Sequence, residues 1–267
     1  MPSIINIAFY KFVPLQNLEE RATGLHSFCS SQKIKGTILL AEEGINGSLA
    51  GTKEAIDAFQ MFIQKDPLLS PLSYKESISD YQPFEKMAVK IKKEIVTMRT
   101  AGIDPLQQSV PTISPIELKQ WIEEKKDFVL LDTRNNYEYQ LGTFEGALEI
   151  GVENFRDFPQ KVSTLPTEWK QKNIVTFCTG GIRCEKAAPY LQSQGFEKVF
   201  QLDGGILNYF KECGGDKWQG DCFVFDNRIA LDPKLNPTGA TLCECCQAPL
   251  RKEQKQCPFC NRENLSA

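Results

Sequence analysis

The chain has 267 residues, 41% of them hydrophobic and 24% charged, which predicts two folded domains with a small appendage. Its net charge of −3 excludes global attraction to nucleic acid, and its single histidine excludes a two-histidine iron triad, a three-histidine zinc site and an HExxH metalloprotease helix. No stretch reaches the ~18 apolar residues of a membrane helix, and the start of the chain lacks the basic region of a signal peptide. We therefore expect a cytoplasmic protein without a membrane partner. In that compartment its ten cysteines should stay reduced.

Residues 1–100 alternate strand-like and helix-like segments. Strands are predicted over 4–9, 36–40, 47–50 and 87–92, with a weaker one over 73–77, and helices over 15–31 and from the N-cap Thr52 to about Pro67. The order βαββαβ is typical of a ferredoxin-like, acylphosphatase-like domain. Because this fold serves RNA binding, phosphate chemistry and dimerisation alike, it does not by itself indicate a function.

A second domain is predicted over residues 113–215, after a linker at 101–112 that holds one glycine and two prolines. Ser114 is placed to cap its first helix. Apolar runs that end near residues 132, 177 and 202 alternate with helices, which predicts a parallel sheet covered on both faces. Ligands of such sheets bind beyond the carboxyl ends of the strands.

The loop at one of these carboxyl ends is the candidate active site. It consists of Cys178, Thr179, Gly180, Gly181, Ile182 and Arg183. Its backbone N–H groups can form an anion cradle at a helix N-terminus, and Arg183 adds a positive charge. Both features lower the pKa of a thiol, so Cys178 can act as a nucleophile without a histidine.

The sequence does not fix the roles of three residues near this loop. Cys184 is either a resolving thiol for Cys178 or a small residue in the first helical turn. Asp132 and Arg134 are expected to form a pair that orders the loops rather than to take part in chemistry.

The third region, residues 216–267, is a cysteine-rich tail. Its two CxxC pairs are spaced as in a small four-thiolate zinc knuckle, with Cys243, Cys246, Cys257 and Cys260 as the expected ligands. Cys222 and Cys245 are alternatives for one ligand. Four thiolates leave no open position for a substrate, so we expect a structural site.

A basic stretch closes the first domain. Its five positive charges are Lys86, Lys90, Lys92, Lys93 and Arg99. On a strand Lys90 and Lys92 share one face, which is either a solvated face or a contact for an RNA backbone.

The Cys178 loop resembles the active-site loop of rhodanese-type sulfurtransferases. Other segments that resemble this domain lie at 131–134, 137–138, 142, 146–147 and 201–205. The histidine that often follows Gly142 in such domains is Thr143 here, which we expect to affect structure rather than chemistry. Related phosphatases have a loop one residue longer, so the short loop favours sulfur.

Further segments extend the resemblance over nearly the whole chain. They lie at 44–47, 83–87, 179–186 and 222–226, and they are similar to the rhodanese-domain-containing tRNA uridine hydroxylase family. The resemblance implies O₂-dependent conversion of the wobble uridine, in the anticodon loop of certain tRNAs, to 5-hydroxyuridine. It also implies that Cys178 is the essential cysteine, as a persulfide or another redox-active thiol.

Two other functions stay open on the residues alone. One is a sulfurtransferase that passes sulfane sulfur through a Cys178 persulfide to a thiol, with a sulfur-donor protein as partner; the other is a redox adaptor in which Cys178 and Cys184 form a disulfide. Hydroxylation with O₂ normally uses iron, copper or flavin. The sequence shows no haem, flavin or nicotinamide motif, so either thiolate attack on the uracil ring or a persulfide-derived oxidant is hypothesised.

Overall fold

The computed structural model describes residues 3–263. The chain divides into two compact units, Met1–Thr97 and Met98–Ala267. Each unit has its own five-stranded sheet. Within the part of the chain that is described, no helix has both the length and the apolar character needed to cross a membrane.

The first unit is built from strands and helices that follow the predicted order. They are β1 (Ile4–Phe12), α1 (Leu18–Ser31), β2 (Lys35–Ala41), β3 (Gly44–Gly51), α2 (Lys53–Gln64), β4 (Tyr74–Ser79) and β5 (Met87–Ile91). The α2 helix begins as predicted, because the Thr52 side chain accepts a hydrogen bond from the Ala55 N–H.

The α1 helix begins three residues later than predicted. The Leu15 N–H donates to the carbonyl of Glu42, which holds this segment against the β2–β3 turn instead of in a helix. Asn17 then adopts the left-handed conformation, with a φ of 55°, before the first helical residue. Asparagine tolerates this conformation better than most residues.

The strand order of the first sheet is β4-β1-β3-β2-β5. The first four strands pair antiparallel, as in a ferredoxin-like domain. The weaker predicted strand near 73–77 supplies the fourth strand of this motif, whereas the stronger one at 87–92 is an additional edge strand that pairs parallel with β2. Residues of both helices, including Leu25 and Phe59, pack in the buried core with Phe9 and Ile38 of the sheet.

The second unit begins with alternating strands and helices. They are β6 (Thr112–Ile113), α3 (Pro115–Glu123), β7 (Phe128–Asp132), α4 (Asn136–Leu141), β8 (Gly142–Phe144), β9 (Leu148–Glu149), α5 (Phe158–Val162), β10 (Asn173–Phe177), α6 (Cys184–Ser193), β11 (Lys198–Leu202) and α7 (Gly205–Cys213). The Ser114 hydroxyl caps α3 by accepting a hydrogen bond from the Glu117 N–H at 3.2 Å.

The sheet of this unit has the order β6-β11-β10-β7-β9, and all of its pairs are parallel. The central strand β10 is buried from Ile174 to Phe177, which explains its unbroken apolar run. Cys178 follows directly, so it lies at the carboxyl end of the middle strand.

Five short strands complete the second unit: β12 (Trp218–Gly220), β13 (Cys222–Phe223), β14 (Ala230–Leu231), β15 (Thr241–Leu242) and β16 (Pro249–Leu250). The β12 strand pairs with β8, and Trp218 packs edge-on against Phe144, with ring centroids 5.0 Å apart. The start of the cysteine-rich tail is therefore part of the same core as the parallel sheet.

Candidate active site

The loop between β10 and α6 is packed tightly against the start of α7. The N–H groups of Ile206 and Leu207 donate to the carbonyls of Cys178 and Thr179 at 3.0 and 3.1 Å. At Gly205, a Cβ atom would lie 2.4 Å from the Cys178 carbonyl oxygen, so no larger residue fits there. This contact explains the glycine at position 205.

The Cys178 sulfur lies inside a cradle of donors. The Gly181 N–H donates to it at 3.2 Å, and Gly181 itself has a φ of +99°, a conformation that favours glycine. Burial opposes the thiolate, but hydrogen bonds from the Cys184 thiol and the Arg183 N–H, together with the Arg183 charge, hold the pKa of Cys178 well below its ordinary range. Cys178 is therefore a thiolate at neutral pH.

Cys184 is the nearest second thiol. It is buried, it lies close enough to Cys178 to perturb the pKa of that thiol, and its sulfur lies 3.7 Å from the Thr133 hydroxyl oxygen. Burial and the neighbouring Cys178 raise its pKa, so Cys184 stays protonated. The two cysteines thus form a thiolate–thiol pair.

Arg183 is held by a carboxylate that sequence reasoning did not single out. Its guanidinium forms two hydrogen bonds with Glu138, of 2.6 and 2.8 Å, and the two side chains are 7% and 0% exposed. Arg183 is therefore also the anchor of the loop. The only earlier signal for Glu138 was its place in a segment that resembles rhodanese domains.

Asp132 and Arg134 form the predicted loop-ordering pair. Both are fully buried, and the Arg134 guanidinium binds Asp132 with distances between 2.6 and 3.2 Å. Arg134 also donates to the Gly142 carbonyl at 2.6 Å, and the Thr143 hydroxyl donates to Asp132 at 3.0 Å. Thr143 therefore has a structural contact, as expected.

Cys222 lies beside the active-site loop, not in the cysteine-rich tail cluster. It is fully buried next to Thr179, and its thiol donates to the Phe223 carbonyl at 3.7 Å. Burial raises the pKa of Cys222 to about 12, so it remains neutral. The structure does not bring Cys222 to the four-sulfur cluster of the tail, which is formed by other residues.

The predicted tail cysteines come together. The sulfurs of Cys243, Cys246, Cys257 and Cys260 all lie within 4.8 Å of one another. The Cys243–Cys260 and Cys246–Cys257 sulfur distances are both 3.6 Å, close to the ~3.8 Å edge of a tetrahedron with 2.3 Å zinc–sulfur bonds. The four residues therefore fit a four-thiolate metal site, and Cys245 is exposed outside the cluster.

Two equivalent turns build this cluster. The carbonyls of Cys243 and Cys257 each accept a 2.9 Å hydrogen bond from the residue four positions later, Gln247 and Asn261 respectively. Both of these residues have a φ near +60°. Each CxxC pair thus forms the same turn, and local sequence is sufficient to place its sulfurs.

The basic stretch is divided between the two units. Lys86, Lys90, Lys92 and Lys93 are exposed along β5 and its flanks in the first unit, whereas Arg99 is an exposed residue of the second. The structure thus places four of the five predicted positive charges along one edge strand.

Comparisons with known proteins match both units. Residues 4–95 match the UPF0176 acylphosphatase like domain, and residues 114–212 match the Rhodanese-like domain. A protein of Cupriavidus taiwanensis named tRNA uridine(34) hydroxylase is 46% identical over 260 residues, which cover 96% of this chain and 92% of that protein. One of the same name from Bordetella petrii is 47% identical, covering 90% and 97% respectively. A solved rhodanese-like domain from Anabaena sp. is 28% identical and covers 42% of this chain and 80% of its own, with a TM-score of 0.36.

Proposed function

Because the chain belongs to the tRNA uridine(34) hydroxylase family, we propose that it converts uridine 34 of tRNA to 5-hydroxyuridine with O₂, and that Cys178 is the catalytic residue. The observation that carries this proposal is the position of the Cys178 sulfur in its loop, 3.2 Å from the Gly181 N–H, in a chain that is 46% identical to a protein of that name along 96% of its length. A tRNA substrate also favours a cytoplasmic location.

The two thiols of the loop supply a balanced route. The Cys178 thiolate adds to C6 of the uracil ring, and the electron density left at C5 reacts with O₂ to give a C5 hydroperoxide. The Cys184 thiol reduces the O–O bond, which leaves a hydroxyl group on C5 and a sulfenic acid on Cys184. Loss of the C5 hydrogen and of the Cys178 thiol restores the ring double bond.

The remaining step closes the electron balance. The Cys178 thiol condenses with the Cys184 sulfenic acid to form a disulfide and water. In sum, uridine, O₂ and two thiols give 5-hydroxyuridine, a disulfide and one water. A small-molecule thiol then reduces the disulfide for the next turnover.

A second candidate function is sulfur transfer through a Cys178 persulfide, supplied by a sulfur-donor protein. The observation in its favour is that the Cys178 sulfur is buried, since the outer sulfur of a persulfide would extend beyond it. The same loop geometry stabilises a persulfide anion as well as a thiolate.

The other predicted residues have supporting roles in this proposal. The exposed Lys90 of β5 and the flanking Lys86, Lys92 and Lys93 contact tRNA phosphates, which positions the RNA without reading its sequence. Zinc, bound by Cys243, Cys246, Cys257 and Cys260, stabilises the fold of a segment too short to gain enough stability from burial.

Nucleoside mass spectrometry of tRNA incubated with the purified protein and a thiol reductant tests the proposal. We expect 5-hydroxyuridine in air, none without O₂ and none with Cys178→Ser. Cys184→Ser should lose turnover and the disulfide, whereas Cys213→Ser, at a half-buried cysteine of α7, should retain both. Unchanged uridine in every sample, together with transfer of sulfur from thiosulfate to cyanide, would contradict the hydroxylase and support sulfur transfer.

A further inference from the structure

Phe225 is a large apolar side chain held in solvent beside the Cys178 loop. It is 61% exposed, although it follows the buried pair Phe223 and Val224. The guanidinium carbon of Arg183 lies over its ring, 5.8 Å from the centroid. Because Arg183 is the last residue of the Cys178 loop, the Phe225 ring adjoins that loop directly.

The turn that carries Phe225 is rigidly built. Asp226 and Arg228 form an ion pair through two hydrogen bonds of 2.8 and 2.6 Å, with both side chains nearly buried. The Val224 N–H donates to the Ile229 carbonyl at 2.9 Å, and Ile229 has a φ of +63°, which is rare for a β-branched residue. A strained turn therefore fixes the ring in an exposed position.

The Phe225 ring packs against a second aromatic ring although most of the residue is in solvent. Phe223 meets it edge-on, at 5.0 Å between centroids and 88° between planes, and Tyr137 meets Phe223 in the same way at 5.2 Å. Arg183 covers one face of Phe225. With 61% of the residue exposed, Phe225 still presents aromatic surface to solvent, and aromatic surface is what a nucleobase stacks on.

We propose that Phe225 is the stacking platform for the uracil of the target nucleotide. Proteins recognise unpaired RNA bases by stacking them on aromatic rings, and Phe225 offers such a ring beside the Cys178 loop, with the buried Arg183 guanidinium behind it. The proposal rests on the proposed function for the identity of the base. Stacking accepts any base, so Phe225 contributes affinity and placement, and not discrimination between bases.

The loss of the platform has a defined expected effect. Stacking on an aromatic side chain changes the affinity for one base by about tenfold, so Phe225→Leu should raise the KM for tRNA by about tenfold. Phe225→Trp should restore the KM. If Phe225 served only to cover Arg183, Phe225→Leu would instead shift the pH dependence of Cys178 alkylation. We expect this pH dependence to stay unchanged in Phe225→Leu.

The test uses the full-length protein in two assays. The first measures KM and kcat for tRNA by product formation. The second measures the binding of an anticodon stem-loop that carries a fluorescent uridine analogue at position 34. It compares the Cys178→Ser protein with the Cys178→Ser protein that also carries Phe225→Leu. We expect an emission change that Phe225→Leu abolishes, while Ile116→Ala, at a residue of α3 that is 64% exposed, leaves KM and emission unchanged. An unaltered KM and emission change in Phe225→Leu would overturn the platform, whereas a wild-type protein that makes no 5-hydroxyuridine would overturn the proposed function instead.

Discussion

Replacing Glu138 by glutamine should destabilise the second unit far more than the same change at a surface carboxylate. The Glu138–Arg183 pair has two hydrogen bonds, of 2.6 and 2.8 Å, and almost no solvent contact. Glutamine keeps the shape and one acceptor but removes the carboxylate that binds Arg183. The other negative groups near Arg183 are the Cys178 thiolate and Asp132, and Asp132 is already bound to Arg134. Removing one partner of a buried pair costs about 3–5 kcal/mol.

The matched control is Asp127→Asn, which breaks an exposed pair. Lys172 and Asp127 are 2.9 Å apart, with side chains 40% and 80% exposed, and such a pair contributes about 1 kcal/mol or less. Urea denaturation at pH 7.5, followed by far-UV circular dichroism, measures both free energies of unfolding. If the losses for Glu138→Gln and Asp127→Asn agree within error, the buried pair does not hold the loop.

The destabilisation by Glu138→Gln should also depend on pH. Burial alone would raise the pKa of Glu138, but the charge and hydrogen bonds of Arg183 lower it below its ordinary value. A carboxyl group with a lowered folded pKa stabilises the protein above its unfolded value of ~4.3, and this contribution is lost as the pH falls through the folded pKa. The difference between wild type and Glu138→Gln should therefore be constant from pH 8 to pH 6 and shrink under strongly acidic conditions.

Three further outcomes are expected. Iodoacetamide should alkylate Cys178 with a pH midpoint well below the ~8.5 of an ordinary thiol, because the loop lowers the pKa of Cys178. Peptide mass spectrometry measures the alkylated fraction at each pH, and an ordinary midpoint would contradict this prediction. Metal analysis should find one zinc per chain in the wild type and none in Cys257→Ser, and limited proteolysis of that variant should cleave the tail while the parallel-sheet core stays intact. Replacing Lys90 and Lys92 together by alanine should weaken the salt dependence of tRNA binding: the slope of log K against log salt concentration should decrease by about 0.7–0.9 per lost phosphate contact. If filter binding gives the same slope for the variant and the wild type, these lysines face solvent only.

Features encoded within a few neighbouring residues were predictable. The Thr52 and Ser114 caps form as predicted because a cap joins a side chain to a backbone N–H three residues away. The four cysteine ligands of the tail come together because each CxxC pair needs only its own turn. The position of Cys178 followed from the apolar run before it and the glycines after it, which place a strand end and a helix start around the loop.

Features that depend on which distant segments meet were decided only by the tertiary structure. Glu138 and Arg183 are 45 positions apart, and periodicity gives no sign that their side chains share one buried site. The same holds for Cys222, which lies against Thr179 rather than with the tail cysteines, and for β5, whose alternating pattern suits an added edge strand as well as the fourth strand of the motif. Local sequence thus determined the reactive thiol and the ligand turns, because short-range hydrogen bonds and steric limits control them. The partners that anchor the loop, and the exposed ring beside it, were set by long-range packing of the whole unit.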